Sequence, residues 1–141
     1  MSPETEQKNT YRLYSLTAIN IATFFGGPLA AGILVRRNFI NLGDEAAGKK
    51  ALFIGIFSTL IIFTVIFSLP EEILDMIPNA LIPMIYTFII YLIVDKYMGK
   101  AIKEHKSNSH PFYSGWKAAG IGLISCIIIM AFIILYALLC V

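Results

Sequence analysis

The sequence predicts an all-α integral membrane protein, a four-helix bundle with a short interfacial helix between the second and third spans. Three observations support this fold class. Only 14% of the 141 residues are charged, and 57% are hydrophobic. Mean hydropathy is +0.75. Four stretches without a charged residue are each long enough to cross a bilayer. Soluble domains carry charge on about 25% of their residues, so this composition excludes that class.

The uncharged stretches define the predicted spans, at residues 13–35, 51–69, 76–94 and 118–141. A helix rises ~1.5 Å per residue, so the shortest stretches cover roughly 29 Å, close to the ~30 Å hydrocarbon core of a bilayer. Transmembrane strands need alternating apolar and polar residues, and the run LIIFTVIF at 60–67 does not alternate. We therefore expect a single transmembrane domain over residues 1–141.

The first apolar stretch has an alternative interpretation as a secretory signal, because Lys8 and Arg12 precede it. The stretch is longer than the apolar core of a signal, and the acids Glu4 and Glu6 lie ahead of it. No clear cleavage site follows the glycines and proline at 26–28. We therefore favour a membrane span.

Basic residues are concentrated in two of the three predicted connections, and only Lys8 and Arg12 fall on the other side. By the positive-inside rule the two basic connections face the cytoplasm, which places both termini on the periplasmic face. The cytoplasmic basic face would contact anionic lipid headgroups. Its residues are Arg36, Arg37, Lys49, Lys50, Lys96, Lys100, Lys103, Lys106 and Lys117.

Several helix boundaries are encoded locally. Gly43 followed by Asp44 has the pattern of a helix stop and a new N-cap, so the second helix is predicted to begin near Asp44. A first-turn proline and two acids predict a short helix over 70–77 at the outer interface. The helical pattern of 95–106 continues past the bilayer and is broken by the Ser, Asn and Pro residues of 107–111.

The segment FFGGPLAAG at 24–32 is the most informative part of the sequence. Small residues recur there every four positions, a spacing that lets two helix backbones approach closely in lipid. The fourth span begins with a similar surface, so we expect the first and fourth helices to pack together, with the second span joining them. The helix-packing residues are Ala18, Ala22, Gly26, Gly27, Ala30, Ala31, Gly55, Ala118, Gly122 and Ser125.

Three polar or irregular positions lie inside the first span. Pro28 removes the backbone hydrogen bond to the carbonyl four residues earlier, which could kink the span or line a solute path. We favour a structural role in which neighbouring groups satisfy that carbonyl. Asn20 and Thr23 are the strongest polar groups at this depth, and we expect them to hydrogen-bond between helices, with Thr59 and Thr64 as candidate partners.

Catalytic and metal-binding chemistry is not indicated. His105 and His110 straddle a helix break without other ligands at metal spacing, so we expect them to be solvated. Cys126 and Cys140 lie on one helix about 21 Å apart by helical rise, too far for a disulfide. No histidine or lysine lies inside a span to activate a serine. We therefore expect no enzyme activity, no cofactor, no metal and no nucleic-acid partner.

Three segments carry a resemblance to a known group of proteins. They are LYSLTAINIATFFGGPLAAGILVRRNFINLG at 13–43, IPNALIP at 77–83 and FYSGWKAAGIGL at 112–123. Together they resemble small bacterial inner-membrane proteins with four predicted spans and a first helix of the FFGGPLAAG type. The resemblance covers nearly the whole chain. It implies the topology and a bacterial origin, and it implies no site.

Two functions are consistent with these features. The first is an interaction protein, an accessory subunit that docks to a larger membrane complex through its small-residue faces. The alternative is a homo-oligomeric transporter or channel with Asn20, Thr23 and Pro28 near the path. We favour the first, because proton-coupled transport needs an ionisable group inside the membrane and the spans contain none.

Overall fold

The computed structural model describes residues 12–108 and 111–140, and this part of the chain is helical apart from short connections. By length and composition alone, four of its helices are long and apolar enough to cross a membrane. The predicted all-α bundle with four long apolar helices is therefore confirmed. The helices are α1 (Leu16–Asn41), α2 (Glu45–Ser68), α3 (Glu71–Met76), α4 (Leu81–Ser107) and α5 (Gly115–Leu139).

Helix α1 is broken at Gly27, where φ is 72° and ψ is −171°. This backbone conformation is essentially restricted to glycine, because a Cβ atom would strain it. Pro28 follows at once and has no N–H to continue the helical ladder. The break divides α1 into two helical arms, which we call α1a (residues 16–26) and α1b (residues 28–41).

The two arms of α1 fold back on each other, so that its two ends meet. The Tyr14 N–H donates to Asn38 Oδ1 over 2.7 Å, and Asn38 Nδ2 donates to the Tyr14 carbonyl over 3.0 Å. In a straight helix these residues would lie roughly 36 Å apart. Asn41 Nδ2 also donates to the Arg12 carbonyl over 2.7 Å. Helix α1 is thus a helical hairpin with its tip at Gly27.

The hairpin corrects one expectation from the sequence. Residues 13–35 were expected to cross the membrane once, from outside to inside, and the hydrogen bonds between Tyr14 and Asn38 exclude that path. The physical reason is that Gly27 permits a reversal of the chain that an ordinary helical residue would prevent. Each arm, at roughly 16–21 Å, is shorter than the ~30 Å apolar core of a bilayer.

Helices α2, α4 and α5 surround the hairpin. Each packs against α1, and they pack little against one another. In the most apolar 18-residue stretch of α1, 67% of the residues are accordingly buried. In the corresponding stretches of α2, α4 and α5, only 11% of the residues are buried. The buried core lies along the arms of the hairpin. Beyond its tip, Phe67 of α2 and Tyr136 of α5 stack with ring centroids 6.3 Å apart.

The local boundaries agree with the sequence-based predictions. Gly43 has a φ of 89°, and the Asp44 side chain caps α2 by accepting from the Ala47 N–H over 3.1 Å. The predicted short helix is α3, preceded by Pro70 in an extended conformation. Helix α4 ends at Ser107, where the Ser and Asn residues predicted a break.

Candidate functional site

The tip of the hairpin is the most unusual feature of the structure, because it places non-helical backbone at the depth of the spans. Pro28 leaves the Phe24 carbonyl without its helical donor, and the Tyr86 hydroxyl of α4 donates to that oxygen over 3.1 Å. The expectation that a neighbouring group satisfies the freed carbonyl is therefore met by a side chain from another helix. This hydrogen bond ties α4 to the break in α1.

A cavity of about 320 Å³ lies at the tip, between α2, α4 and α5. Gly26, Gly27 and Pro28 form part of its wall. Most of the other lining side chains are aliphatic or aromatic, with Asn79 and Tyr86 among the few polar ones. The cavity is therefore suited to an apolar or weakly polar occupant.

The predicted packing residues of the first and fourth helices lie against each other. A Cβ atom added to Gly26 would lie 2.5 Å from the Gly122 carbonyl oxygen, and one added to Gly122 would lie 3.0 Å from the Ala22 carbonyl oxygen. Ala18 and Ala118 are buried in the same core. Arm α1a and α5 run in the same direction, because both start at the end of the bundle where Leu13 pairs with Phe112.

The remaining packing residues lie on α1b and its neighbours. A Cβ added to Gly55 would lie 2.8 Å from the Pro28 carbonyl oxygen and 3.0 Å from the Gly32 Cα, so α2 contacts α1b backbone to backbone. Ala30 and Ala31 are buried at 0% and 4% exposure. Gly27 faces Ile129 of α5, and Ser125 is fully buried. The small-residue surfaces therefore hold the fold together from within.

The polar residues expected to bridge helices at depth do not do so. Asn20 has no hydrogen-bond partner in the part of the chain that the structure describes, and Thr23 donates to the Ile19 carbonyl of its own helix over 2.6 Å. Thr59 and Thr64 likewise donate to carbonyls of α2, over 2.8 Å each. A threonine in a helix satisfies its hydroxyl locally, so the expected interhelical hydrogen bonds are corrected to intrahelical ones.

Asn38 is the buried polar residue that the sequence reasoning missed. Its side chain is fully buried, and besides its two bonds to Tyr14 its Nδ2 lies 3.3 Å from Met98 Sδ. Three residues later, Asn41 bonds both the Arg12 carbonyl and the Tyr113 hydroxyl. The available signal was two asparagines on one face of an apolar helix, but the partners lie more than twenty residues away and could not be read from that pattern.

The chain segments just before α1 and α5 lie together with His105 of α4. We call this cluster, residues 12–14, 105 and 111–113, the polar clasp. The Tyr113 N–H donates to the Leu13 carbonyl over 2.9 Å, and the rings of Tyr14 and Tyr113 stack with centroids 4.4 Å apart. Burial raises the pKa of the Tyr14 hydroxyl and the neighbouring Tyr113 raises it further, so this phenol stays protonated at neutral pH. The clasp thus joins both arms of the hairpin to α5.

His105 belongs to this clasp and corrects a further expectation from the sequence. It was expected to be solvated, but it is only 3% exposed. Its Nε2 lies 2.5 Å from the Pro111 carbonyl oxygen, and its ring meets Phe112 edge-on with centroids 4.8 Å apart. The chain after the helix break turns back and covers the imidazole. His110 lies outside the described residues.

The hairpin brings every described lysine and arginine to one end of the bundle, which we call the basic end. Arg12 was expected at the opposite end from the basic connections, and its hydrogen bond to Asn41 places it with them. The other members are Arg36, Arg37, Lys49, Lys50, Lys96, Lys100, Lys103, Lys106 and Lys117. Among the described residues, the opposite end carries the three acids of α3, which are Glu71, Glu72 and Asp75.

The described ends of the chain therefore lie at opposite ends of the bundle. Arg12 is at the basic end, and Leu139 is at the far end of α5, roughly 36 Å from Gly115. The cause of this placement is again the reversal at Gly27, which returns the chain to the side from which it started. The two termini themselves lie outside the described residues, and the expectation that they share one face stays a prediction.

These features define a class, a multi-pass helical membrane protein built around a central hairpin. Comparisons with protein-family models, with curated proteins and with solved structures gave no match. Among the described residues, no group of three or more His, Cys, Asp or Glu side chains is arranged to hold a metal ion.

Proposed function

We propose that this chain is a non-enzymatic protein of the bacterial inner membrane that acts as an accessory or interaction subunit beside a larger membrane complex. The observation that supports this role is a contrast in burial. The hairpin is enclosed by the other helices, whereas only 11% of the residues in the most apolar stretch of α2, α4 or α5 are buried. Nearly the whole lateral surface of the protein is thus available for contact with other membrane components.

The contact surface consists of large apolar side chains. The small residues of α1 and α5 are used inside the fold, so a partner would meet aromatic and branched side chains instead. Phe67, Phe88 and Phe132 are 60%, 61% and 68% exposed on three different helices. In lipid, such surfaces associate by van der Waals packing against a complementary shape rather than by apolar bulk.

The orientation follows from the charge distribution. With Arg12 at the basic end, we place that end in the cytoplasm and the acidic α3 on the periplasmic face. The start of α1 is then cytoplasmic and the end of α5 is periplasmic. The basic end would contact anionic headgroups of the inner leaflet.

Photo-crosslinking in the native membrane tests the interaction role. A photoreactive phenylalanine analogue replaces Phe67, Phe88 or Phe132, and the same analogue at half-buried Phe112 is the matched control. We expect at least one exposed site to give crosslinks to an unlike membrane protein and the Phe112 site to give only intrachain products. Crosslinks from all three exposed sites to lipid or to copies of this chain alone would contradict an accessory role.

A homo-oligomeric transporter or channel is the second candidate, and one observation favours it. Broken helices at membrane depth are tolerated where they are buried or line a cavity, and transporters use such breaks at binding sites. Here the break at Gly27 borders the cavity of about 320 Å³. Native mass spectrometry followed by solute flux from liposomes distinguishes the candidates: a homo-oligomer that leaks solute favours the transporter, and unlike subunits without flux favour the accessory role.

A further inference from the structure

We propose that the groove between α2 and α4 binds one acyl chain of an anionic phospholipid, with the phosphate at Lys50. The groove has a volume of about 430 Å³ and is a different cavity from the one at the hairpin tip. Its floor is the small-residue face of α1b, including Ala31 and Gly32.

The groove exists because two long helices pack on α1b without closing on each other. Ile54 of α2 and Ile90 and Val94 of α4 form its walls, so the interior is apolar over most of its length. Grooves of a few hundred Å³ lined by apolar side chains, with polar groups at one end, are typical sites for small amphipathic ligands. In a bilayer, this opening lies at the depth of lipid tails.

The polar groups are concentrated at one end of the groove. Lys50 and Tyr97 line that end, and both are exposed. It coincides with the basic end of the bundle, and no ion pair engages Lys50 within the described ranges 12–108 and 111–140. The groove thus has a cationic group at headgroup level and an apolar interior below it. An anionic lipid has the matching arrangement, with its negative charge at headgroup level and its apolar tail below.

The groove could enclose only part of a protein helix. A helix with its side chains is about 10 Å across, so a segment of three turns would need roughly 1,200 Å³. A single flexible chain is therefore the occupant whose cross-section suits the groove.

Native mass spectrometry after reconstitution in defined lipid tests the assignment. The protein is incubated with equal amounts of phosphatidylglycerol and phosphatidylcholine of the same chain length, and the lipid retained on the monomer is counted. We expect one tightly held lipid, with phosphatidylglycerol preferred. Lys50→Gln should reduce that preference about fivefold, the factor that one lysine near an anionic surface contributes. Lys49→Gln is the matched control, because Lys49 is a neighbouring exposed lysine outside the groove.

A second pair of variants tests the tail independently of the charge. Ser58 lines the groove in the apolar part of α2, so Ser58→Phe should fill it and abolish retention of the lipid. Leu60→Phe, at a 58% exposed position outside both cavities, should leave retention unchanged. Unaltered preference in Lys50→Gln, or an equal effect of Lys49→Gln, would overturn the assignment. Should Ser58→Phe not fold, the two lysine variants still decide the outcome.

Discussion

Asn38 satisfies both backbone polar groups of Tyr14, accepting from its N–H over 2.7 Å and donating to its carbonyl over 3.0 Å. One side chain thereby supplies the two hydrogen bonds that the backbone of this buried, non-helical residue needs. The same contact holds the two ends of the hairpin together. Asn38 is therefore the residue on which the geometry of α1 depends most directly.

Replacing Asn38 by Ala should strongly destabilise the protein. The change leaves a buried N–H and a buried carbonyl of Tyr14 unsatisfied, at a cost of about 1–3 kcal/mol for each group. Thermal unfolding in detergent measures the loss. Asn20→Ala is the control, because Asn20 lies on the same helix without a hydrogen-bond partner among the described residues. Equal losses in the two variants would show that the Asn38 contacts contribute nothing specific.

Replacing Gly26 by Ala should separate α1a from α5. The added Cβ would lie 2.5 Å from the Gly122 carbonyl oxygen, and backbone atoms on both sides cannot move without displacing a helix. We expect a loss of about 1–3 kcal/mol, as for other overpacked sites. Gly120→Ala is the matched control on α5, since nothing lies within 4 Å of a Cβ there. It should be neutral or stabilising by up to about 1 kcal/mol through helix propensity.

Replacing Gly27 by Ala tests the backbone reversal. There is space for the methyl group, since the nearest atom is Ile129 Cδ1 at 3.8 Å, so the cost arises from the backbone conformation alone. We expect about 1–3 kcal/mol, the usual strain of a non-glycine residue in this region. Gly115→Ala, at an open site with no positive φ, should have little effect on the same unfolding curve. A Gly27→Ala variant of unchanged stability would contradict the bent hairpin.

Replacing Tyr86 by Phe should remove the donor to the Phe24 carbonyl and nothing else. A typical net loss for one hydrogen bond is about 0.5–1.5 kcal/mol, and an unsatisfied buried carbonyl places the effect at the upper end. Tyr91→Phe is the comparison variant, because Tyr91 lies in the same helix and its hydroxyl makes no hydrogen bond among the described residues. If Tyr91→Phe lowered the unfolding temperature as much, the Tyr86 contact would not explain the result.

Reporter fusions test the orientation. A cytoplasm-active reporter joined at the N-terminus and a periplasm-active reporter joined after residue 141 should both be active, because Arg12 and Leu139 lie at opposite ends of the bundle. Exchanging the two reporters should abolish both signals. Periplasmic activity at both termini would instead support a single crossing by residues 13–35.

The sequence was sufficient to predict the outer helices and their ends. Long apolar runs determine α2, α4 and α5, and local capping at Asp44 and Pro70 determines where helices begin. The contact between Gly26 and Gly122 could also be predicted from the spacing of small residues, because that spacing indicates which side of a helix permits close approach of another helix.

The reversal of α1 could not be derived in the same way. A glycine and a proline inside an apolar run are compatible with a kinked span, and only partners distant in sequence distinguish a kink from a hairpin. Tyr14, Asn38 and Tyr86 supply those partners here. One signal was present: a hairpin brings Arg12, which was an exception to the charge asymmetry, to the side of the other basic residues.

The clasp between Leu13 and Phe112 links the first described segment of the chain to one synthesised about a hundred residues later. Until α5 has emerged from the ribosome, α1a lacks the surface that covers Ala22 and Gly26. Two half-length arms with an open backbone at their tip are poorly suited to stay in lipid alone. The amino-terminal arm therefore reaches its final packing only after α5 has been synthesised, because Gly122 supplies the surface that lies against Gly26.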